Sequence, residues 1–271
     1  MTDTDSTLHA ASAYVTPNDS KKLQINIDSQ PMALVMLNLP LVHIDTDFFE
    51  SLWNKSKIRI CADGAGNRLY EFGLKSNCLE KYIPSAIVGD LDSLLDKHKD
   101  YYVSKGTKII WYKDQSSTDF QKSLRYLGLL EEPEAELDNK KSEKQIHTVV
   151  VLGGFGGRLD HTLHVLKVLL NECNYRRIIV ISESNLTFAL PKGKNTILIN
   201  KKVDGPACGI LPLAGECKLT TTGLHWDMVD HISSVTGFMS TSNLIEEDII
   251  TVDSTEDVIW TCEFLIEPKN V

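Results

Sequence analysis

The chain has 271 residues, of which 42% are hydrophobic and 24% are charged, a composition typical of a globular protein with one large domain or two modest ones. Its net charge is -9, from 28 Lys and Arg against 37 Asp and Glu, which argues against nucleic-acid binding because such surfaces are net basic. No apolar run approaches the roughly 18 residues that span a bilayer, no targeting segment is recognisable, and the six cysteines occur singly, so we expect a cytoplasmic protein with reduced thiols.

In chain order, residues 1–30 are polar and predict a flexible N-terminal extension. From Pro31 onward, short apolar runs alternate with amphipathic stretches, a pattern typical of a parallel sheet covered by helices on both faces. Gly73 and Gly106 are expected to end helices, leucines at helical spacing predict a helix over 159–170, and the polar segment 131–145 predicts a solvated insertion. The predicted strands are 33–37, 58–61, 85–88, 108–111, 148–152 and 178–181.

After about residue 184 the helical periodicity disappears, and Gly and Pro separate short apolar runs. The last run alternates over Val258, Trp260, Cys262, Phe264 and Ile266, which predicts a strand with one buried face. The fold class is therefore α/β, with an N-terminal Rossmann-like parallel α/β domain over 31–184 followed by a C-terminal all-β sandwich domain over 185–271.

Acidic residues follow three of the predicted strands. Asp63 follows the second strand, Asp90 and Asp92 follow the third, and Asp119 follows the fourth. Ligands of parallel α/β sheets bind beyond the carboxyl ends of the strands, and carboxylates gathered there repel one another unless a hard cation neutralises them. We infer magnesium. A single Asp after a strand is often only a helix N-cap, so that alternative stays open for Asp63 and Asp119. It explains Asp90 and Asp92 less well, because both lie within one turn and a single N-cap would suffice.

The segment after the fifth strand, GGFGGR, ends at Arg158 and opens a predicted helix. It is either a mobile turn or a phosphate site, because glycines at a helix N-terminus leave backbone N–H groups accessible and arginine adds a two-pronged donor. The sequence has no P-loop motif, and the run from Gly64 lacks the third glycine of the dinucleotide fingerprint, which disfavours hydride transfer. His161 and His164 share a helix face, but a third metal ligand is missing.

Six motifs in order, CADGAGNRLYEFG, VGDLDSL, DQSSTDFQKSL, LGGFGGRLDH, TTTGLHW and STSN, resemble thiamine pyrophosphokinases of the eukaryotic type over about residues 31–264. The resemblance implies a homodimer whose active site lies at the subunit interface. It also implies transfer of a pyrophosphoryl group from the co-substrate ATP to thiamine, giving thiamine diphosphate and AMP. No nucleic-acid or membrane partner is expected.

The resemblance also implies roles for particular residues. Magnesium would be held by Asp90, Asp92 and Asp119, with Asp63 beside them. The nucleotide and pyrophosphate would be bound by Asn67, Gln115, Gly154, Gly156, Gly157, Arg158 and Asp160. Ser240 and Asn243 match thiamine-site positions, and Trp226 either stacks on the ligand or packs in the core. The catalytic set is Asp63, Asp92, Arg158 and Asp160, with the general base open between Asp63 and Asp160.

Three features depart from the family pattern: His161 stands where Gln is expected, and segments 1–30 and 131–145 have no counterpart. Two other functions remain compatible with the same residues. A metal-dependent nucleotide phosphohydrolase could use the aspartates, and a non-catalytic sensor of thiamine or nucleotide could be built on the same fold.

Overall fold

The computed structural model describes residues 7–9, 16–17, 23–24, 31–41, 44–132, 145–182 and 184–265. Most of segments 1–30 and 131–145 lies outside these ranges, so their proposed character stays a prediction. The first strands are β1 (Thr7–His9), β2 (Thr16–Pro17) and β3 (Leu23–Gln24), and β2 pairs antiparallel with β3. By internal contacts the chain divides into two compact units, which we call the α/β unit (Ser29–Val165) and the β unit (Met1–Asp28 with Leu166–Val271).

The α/β unit alternates strands and helices as predicted. Its elements are β4 (Met32–Met36), α1 (Thr46–Lys55), β5 (Ser56–Ala62), α2 (Ala65–Lys75), β6 (Ala86–Gly89), α3 (Asp96–Ser104), β7 (Lys108–Trp111), α4 (Asp119–Glu131), β8 (Thr148–Leu152) and the start of α5 (Leu159–Glu172). The sheet order is β8-β4-β5-β6-β7, and every pair is parallel. Neighbours β8 and β4 are buried along their whole length, because a sheet covered on both faces has no polar side.

The two glycines expected to end helices behave differently. Gly106 follows α3 with φ of 92°, the left-handed conformation that glycine adopts beyond a helix C-terminus. Gly73 lies inside α2, which continues to Lys75, so the predicted stop there is wrong. A Cβ on Gly73 would lie 2.9 Å from Leu79 Cα, so this glycine permits close packing of helix and chain.

The β unit consists mainly of antiparallel strands. They are β9 (Ile178–Ile181), β10 (Asn185–Leu190), β11 (Gly193–Leu198), β12 (Asp204–Leu211), β13 (Cys217–Thr222), β14 (His231–Ser233), β15 (Ser240–Leu244), β16 (Ile249–Ser254) and β17 (Val258–Phe264). Within the unit one sheet has the order β15-β12-β17-β10-β9 and the other β1-β11-β16-β13-β14, with β1 parallel to β11. The four predicted inward residues of β17 are buried; Ile266 lies outside the described residues. The predicted fold class is confirmed. No helix in the described part of the chain is long and apolar enough to cross a membrane.

Candidate active site

The carboxyl edge of the parallel sheet gathers acidic side chains. Asp63 follows β5, and its N–H donates to Val88 O of β6 at 2.9 Å. Asp90 and Asp92 follow β6, and one carboxylate oxygen from each of Asp63, Asp90 and Asp92 lies within 4.8 Å of the others. Asp63 is only 2% exposed, so the cluster begins in the protein interior and opens toward solvent at Asp92.

The backbone is arranged for this convergence. Asp63 and Leu91 have φ of 43° and 64°, the left-handed region that turns the chain sharply. Gly89 lies between the aspartates: a Cβ built on it would be 2.7 Å from Asp63 Cβ and 3.1 Å from Asp119 Oδ1. Three segments therefore meet around a position that has no room for a side chain.

The helix-cap alternative is wrong for Asp63 and Asp119. The N-cap of α2 is Gly64, and the N-cap of α4 is Thr118, which forms a capping box with Gln121. Asp63 Oδ2 instead accepts the N–H of Ser93 at 3.1 Å, while its buried Oδ1 has no hydrogen-bond partner among the described residues. A buried carboxylate oxygen without a partner is costly, so the site is suited to an added ligand.

Burial raises the pKa of Asp63 to about 6; the Ser93 N–H acts in the opposite direction, and the charges of Asp119, Asp92 and Asp90 raise it further. Ionisation of Asp63 is therefore disfavoured when the site has no counter-ion. Its donors are hard carboxylate oxygens that lie close together, which is the chemistry of a magnesium or similar divalent site. The residues fit such a cation.

Sequence reasoning missed Lys122, which is 1% exposed. Its Nζ lies 3.0 Å from Asp119 Oδ1 and 3.5 Å from Asp90 Oδ2, and Gln115 Nε2 donates to the same Asp90 oxygen at 2.9 Å. Burial lowers the pKa of Lys122, but the hydrogen bond and charge of Asp119, with Asp90, outweigh it and the net pKa is raised. The sequence signal that could have found it is its position three residues after Asp119, which places both residues on one face of a helix.

A cavity of about 590 Å³ opens beside the cluster. Of the residues predicted for the α/β site, its lining includes Asp63, Asp90, Asp92, Asp119, Gln115 and Arg158, together with Lys122, His161 and His164. His164 Nε2 lies 2.8 Å from Thr118 Oγ1, so this histidine is placed to tie α5 to the N-terminus of α4. Gly154, Gly156, Gly157, Asp160 and Asn67 are not among the lining residues.

The glycine loop before α5 has left-handed backbone at Gly153, Gly156 and Gly157. After it, the guanidinium of Arg158 forms a two-pronged contact with Asp160, with Nε–Oδ1 at 3.1 Å and Nη2–Oδ2 at 2.5 Å. Both side chains are more than half exposed, so this pair contributes little to stability. Asp160 raises the pKa of Arg158, and Arg158 lowers that of Asp160.

The side chain of Asn67 connects α2 to the segment after Asp92. Its Nδ2 donates to Ser93 O at 2.8 Å, and its Oδ1 accepts from Leu95 N at 3.1 Å and lies 2.9 Å from His98 Nδ1. These contacts position the loop that carries Asp92. The role of Asn67 in nucleotide binding stays a prediction.

The β unit has a separate cavity of about 380 Å³ whose lining includes Ser240, Asn243 and Trp226. Asn243 accepts from Trp226 N at 3.2 Å and donates to Trp226 O at 3.0 Å. It also donates to Ser240 Oγ at 3.3 Å. The three predicted residues are thus brought together. Trp226 is 57% exposed, so it is not a core residue, and its indole is available to a ligand.

A parallel sheet with a carboxylate-lined cavity at its carboxyl edge defines the class as an α/β protein that binds its ligand at that edge, and the chain also contains an antiparallel β unit. Residues 49–181 match the family described as thiamin pyrophosphokinase, catalytic domain, and residues 194–259 match thiamin pyrophosphokinase, vitamin B1 binding domain. The chain belongs to the thiamine pyrophosphokinase family.

Curated relatives agree over most of the chain. Thiamine pyrophosphokinase 1 of Arabidopsis thaliana is 36% identical over 239 residues, covering 84% of this chain and 85% of the relative. The enzyme of Saccharomyces cerevisiae is 31% identical over 281 residues, covering 89% of this chain and 88% of the relative. Among solved structures, thiamin pyrophosphokinase from Candida albicans has a TM-score of 0.80 at 28% identity over 98% of this chain and 95% of that one. The yeast enzyme has a TM-score of 0.83 at 26% identity, over 96% of this chain and 91% of that one.

Proposed function

We propose that this chain transfers the pyrophosphoryl group of ATP to the hydroxyl of thiamine, forming thiamine diphosphate and AMP. The observation that carries the proposal is the gathering of four carboxylates around one cavity at the sheet edge, in a chain that matches both parts of its family. In this proposal residues 31–184 bind ATP and metal, and residues 185–271 bind thiamine.

Magnesium would be held by Asp90, Asp92 and Asp119, with Asp63 beside them. When bound, the ion would neutralise phosphate charge and help to orient the transferred group. Phosphoryl-type transfer requires mainly positioning and charge stabilisation. Arg158 lines the same cavity and would hold phosphate oxygens with its planar fork, releasing Asp160 when the nucleotide binds. Amides of Gly154, Gly156 and Gly157, and the side chains of Gln115 and Asn67, complete the proposed nucleotide site.

In the reaction the thiamine hydroxyl oxygen bonds to the β-phosphorus. The bond from that phosphorus to the oxygen bridging it to the α-phosphate breaks, and AMP leaves with this oxygen. The hydroxyl proton must pass to a base, and Asp63 is better placed than Asp160. Asp63 lines the cavity and its pKa is raised to about 6, whereas Asp160 is held by Arg158, which lowers its pKa. A base functions best with a pKa near the working pH.

Thiamine binding is assigned to Ser240, Asn243 and Trp226, whose cavity is large enough for a small heterocyclic ligand. Because the described lining of this cavity includes no phosphate loop, the proposal includes a homodimer in which each active site takes its two halves from different subunits. An Asp92→Asn chain mixed with a chain altered at Ser240 and Asn243 should then regain activity. An active monomer in sedimentation would contradict the dimer.

The proposal also includes a cytoplasmic location. The six cysteines are free thiols, which supports the reducing cytoplasm as the location. The test of function is to incubate the pure chain with ATP, magnesium and thiamine. Equal amounts of AMP and thiamine diphosphate are expected. Phosphate release without thiamine would instead identify a phosphohydrolase, and binding without turnover would identify a sensor.

A further inference from the structure

Lys122 is a buried cation inside an acidic cluster. Its side chain is 2% exposed, and lysine is rarely buried unless its charge is paired. The ammonium has two carboxylate neighbours, Asp119 at 3.0 Å and Asp90 at 3.5 Å. Lys122 lines the cavity, but little of its side chain is accessible and its ammonium is engaged by these two carboxylates. Its main effect therefore acts through the two aspartates.

Asp90 belongs to two groups at once. One of its oxygens lies within 4.8 Å of ligand oxygens from Asp63 and Asp92, and its Oδ2 lies near Lys122. In a two-metal site, two ions about 3.5–4 Å apart clamp the reacting group. Here Asp90 belongs to the proposed metal-binding group and also contacts a lysine. Lys122 therefore stands where a second ion would be expected.

The charges are consistent with this arrangement. With a cation bound and all four carboxylates ionised, the aspartates around the cavity carry four negative charges, and Lys122 neutralises one. One divalent ion then leaves a single negative charge, and a second ion would make the cluster net positive. Without the lysine, two divalent ions would balance the aspartates. Like charges this close are strongly destabilising in a buried setting, so the lysine also stabilises the cluster before any ion binds.

We infer that Lys122 acts as the fixed second cation of the acidic cluster, holding Asp119 and Asp90 in place and limiting the chain's own carboxylates to one divalent ion. Lys122 is thus a positioning residue. The inference rests on the proposed function in one respect, that the cluster binds a divalent ion at all.

The test is Mn²⁺ binding to the full-length chain without nucleotide, measured by titration calorimetry and by the Mn²⁺ electron paramagnetic resonance signal. The wild-type chain is expected to bind one ion. Lys122→Met keeps an unbranched side chain, one atom shorter, and removes the charge. It should bind two ions, the first at least about tenfold more tightly, because a neighbouring positive charge has been removed. Its ion-free melting temperature should fall and should rise further on Mn²⁺ addition than that of wild type.

Three further variants serve as controls. Lys122→Arg keeps the positive charge and should bind one ion. Lys105→Met removes an equal charge from an exposed pair with Glu80 and should leave Mn²⁺ stoichiometry unchanged. The double variant Asp119→Asn with Lys122→Met has the cluster charge of wild type, so it should bind one ion and recover ion-free stability. It carries the test if Lys122→Met does not fold without an ion.

The outcomes separate the two claims. A wild-type chain that binds no Mn²⁺ would overturn the metal assignment and this inference together. One ion in wild type and one of equal affinity in Lys122→Met would overturn the role of Lys122 alone, as would two ions in wild type. A double variant that melts well below wild type without ions would also count against the inference.

Discussion

Gly89 is the position where a single added methyl group should disturb the site most. It is the last residue of β6, and a Cβ there would lie 2.7 Å from Asp63 Cβ, 3.3 Å from Asp63 Cα and 3.1 Å from Asp119 Oδ1. Contacts under about 3 Å between carbon atoms cannot be accommodated without movement. The change Gly89→Ala must therefore push the aspartates apart.

The size of the effect follows from what can move. Asp63 cannot retreat easily, because its N–H is bonded to Val88 O and its backbone is in the left-handed region. Asp119 can rotate only by weakening its bond to Lys122. We therefore expect the upper part of the overpacking range, about 2–3 kcal/mol. At roughly 2–4 °C per kcal/mol for a chain of this size, the melting temperature should fall by about 4–12 °C. Turnover should fall by roughly tenfold to hundredfold, since misplacement near 1 Å has such effects.

The assay compares melting and turnover of Gly89→Ala with those of Gly128→Ala. Gly128 lies in α4, the helix of Asp119 and Lys122, and an added Cβ there meets nothing within 4 Å. Alanine should stabilise that helix by about 0.5–1 kcal/mol and leave turnover unchanged. A Gly89→Ala chain that melts and turns over like wild type would refute the close convergence described for this edge of the sheet.

Asp92→Asn should fold normally yet lose at least about a hundredfold in turnover. Near-normal turnover at saturating magnesium would show that Asp92 is not a metal ligand. Arg158→Lys should change stability by less than about 0.5 kcal/mol, because Arg158 is exposed. It should lower turnover roughly tenfold, because lysine lacks the planar fork; full activity would show that Arg158 is a surface residue with no role in phosphate binding. Asp63 holds its proton more tightly when folded, since its pKa is raised from 3.8 to about 6. Its contribution to stability is therefore present at low pH and is lost as pH rises from about 4 to about 6. In metal-free chains, the melting temperature of Asp63→Asn relative to wild type should rise over that window, and a flat difference would contradict the raised pKa.

Apolar periodicity was sufficient to predict the parallel sheet. The run TVVVL of β8 shows no alternation of polar and apolar residues, so the sequence predicts that both faces of this strand are buried, as they are. The rule that parallel strands end at one edge also predicts, from the sequence alone, that Asp63, Asp90 and Asp92 lie together.

Other features depend on contacts that sequence spacing does not encode. Lys122 reads as an ordinary helix-surface lysine, and only the packing of α4 against the sheet shows its burial. The helix caps at Gly64 and Thr118 were missed because Asp is as good a cap as either. In the sequence Gly73 resembles a glycine that ends a helix, because its actual requirement, close contact with Leu79, arises only from tertiary packing.

The central claim is that the acidic cavity carries pyrophosphoryl transfer, and ATP labelled with ³²P at the β-phosphate tests it most directly. With thiamine and magnesium present, the label should appear in thiamine diphosphate in an amount equal to the unlabelled AMP formed, and Asp92→Asn should abolish both. Label remaining in ADP, or released as free phosphate or pyrophosphate independently of thiamine, would contradict the account.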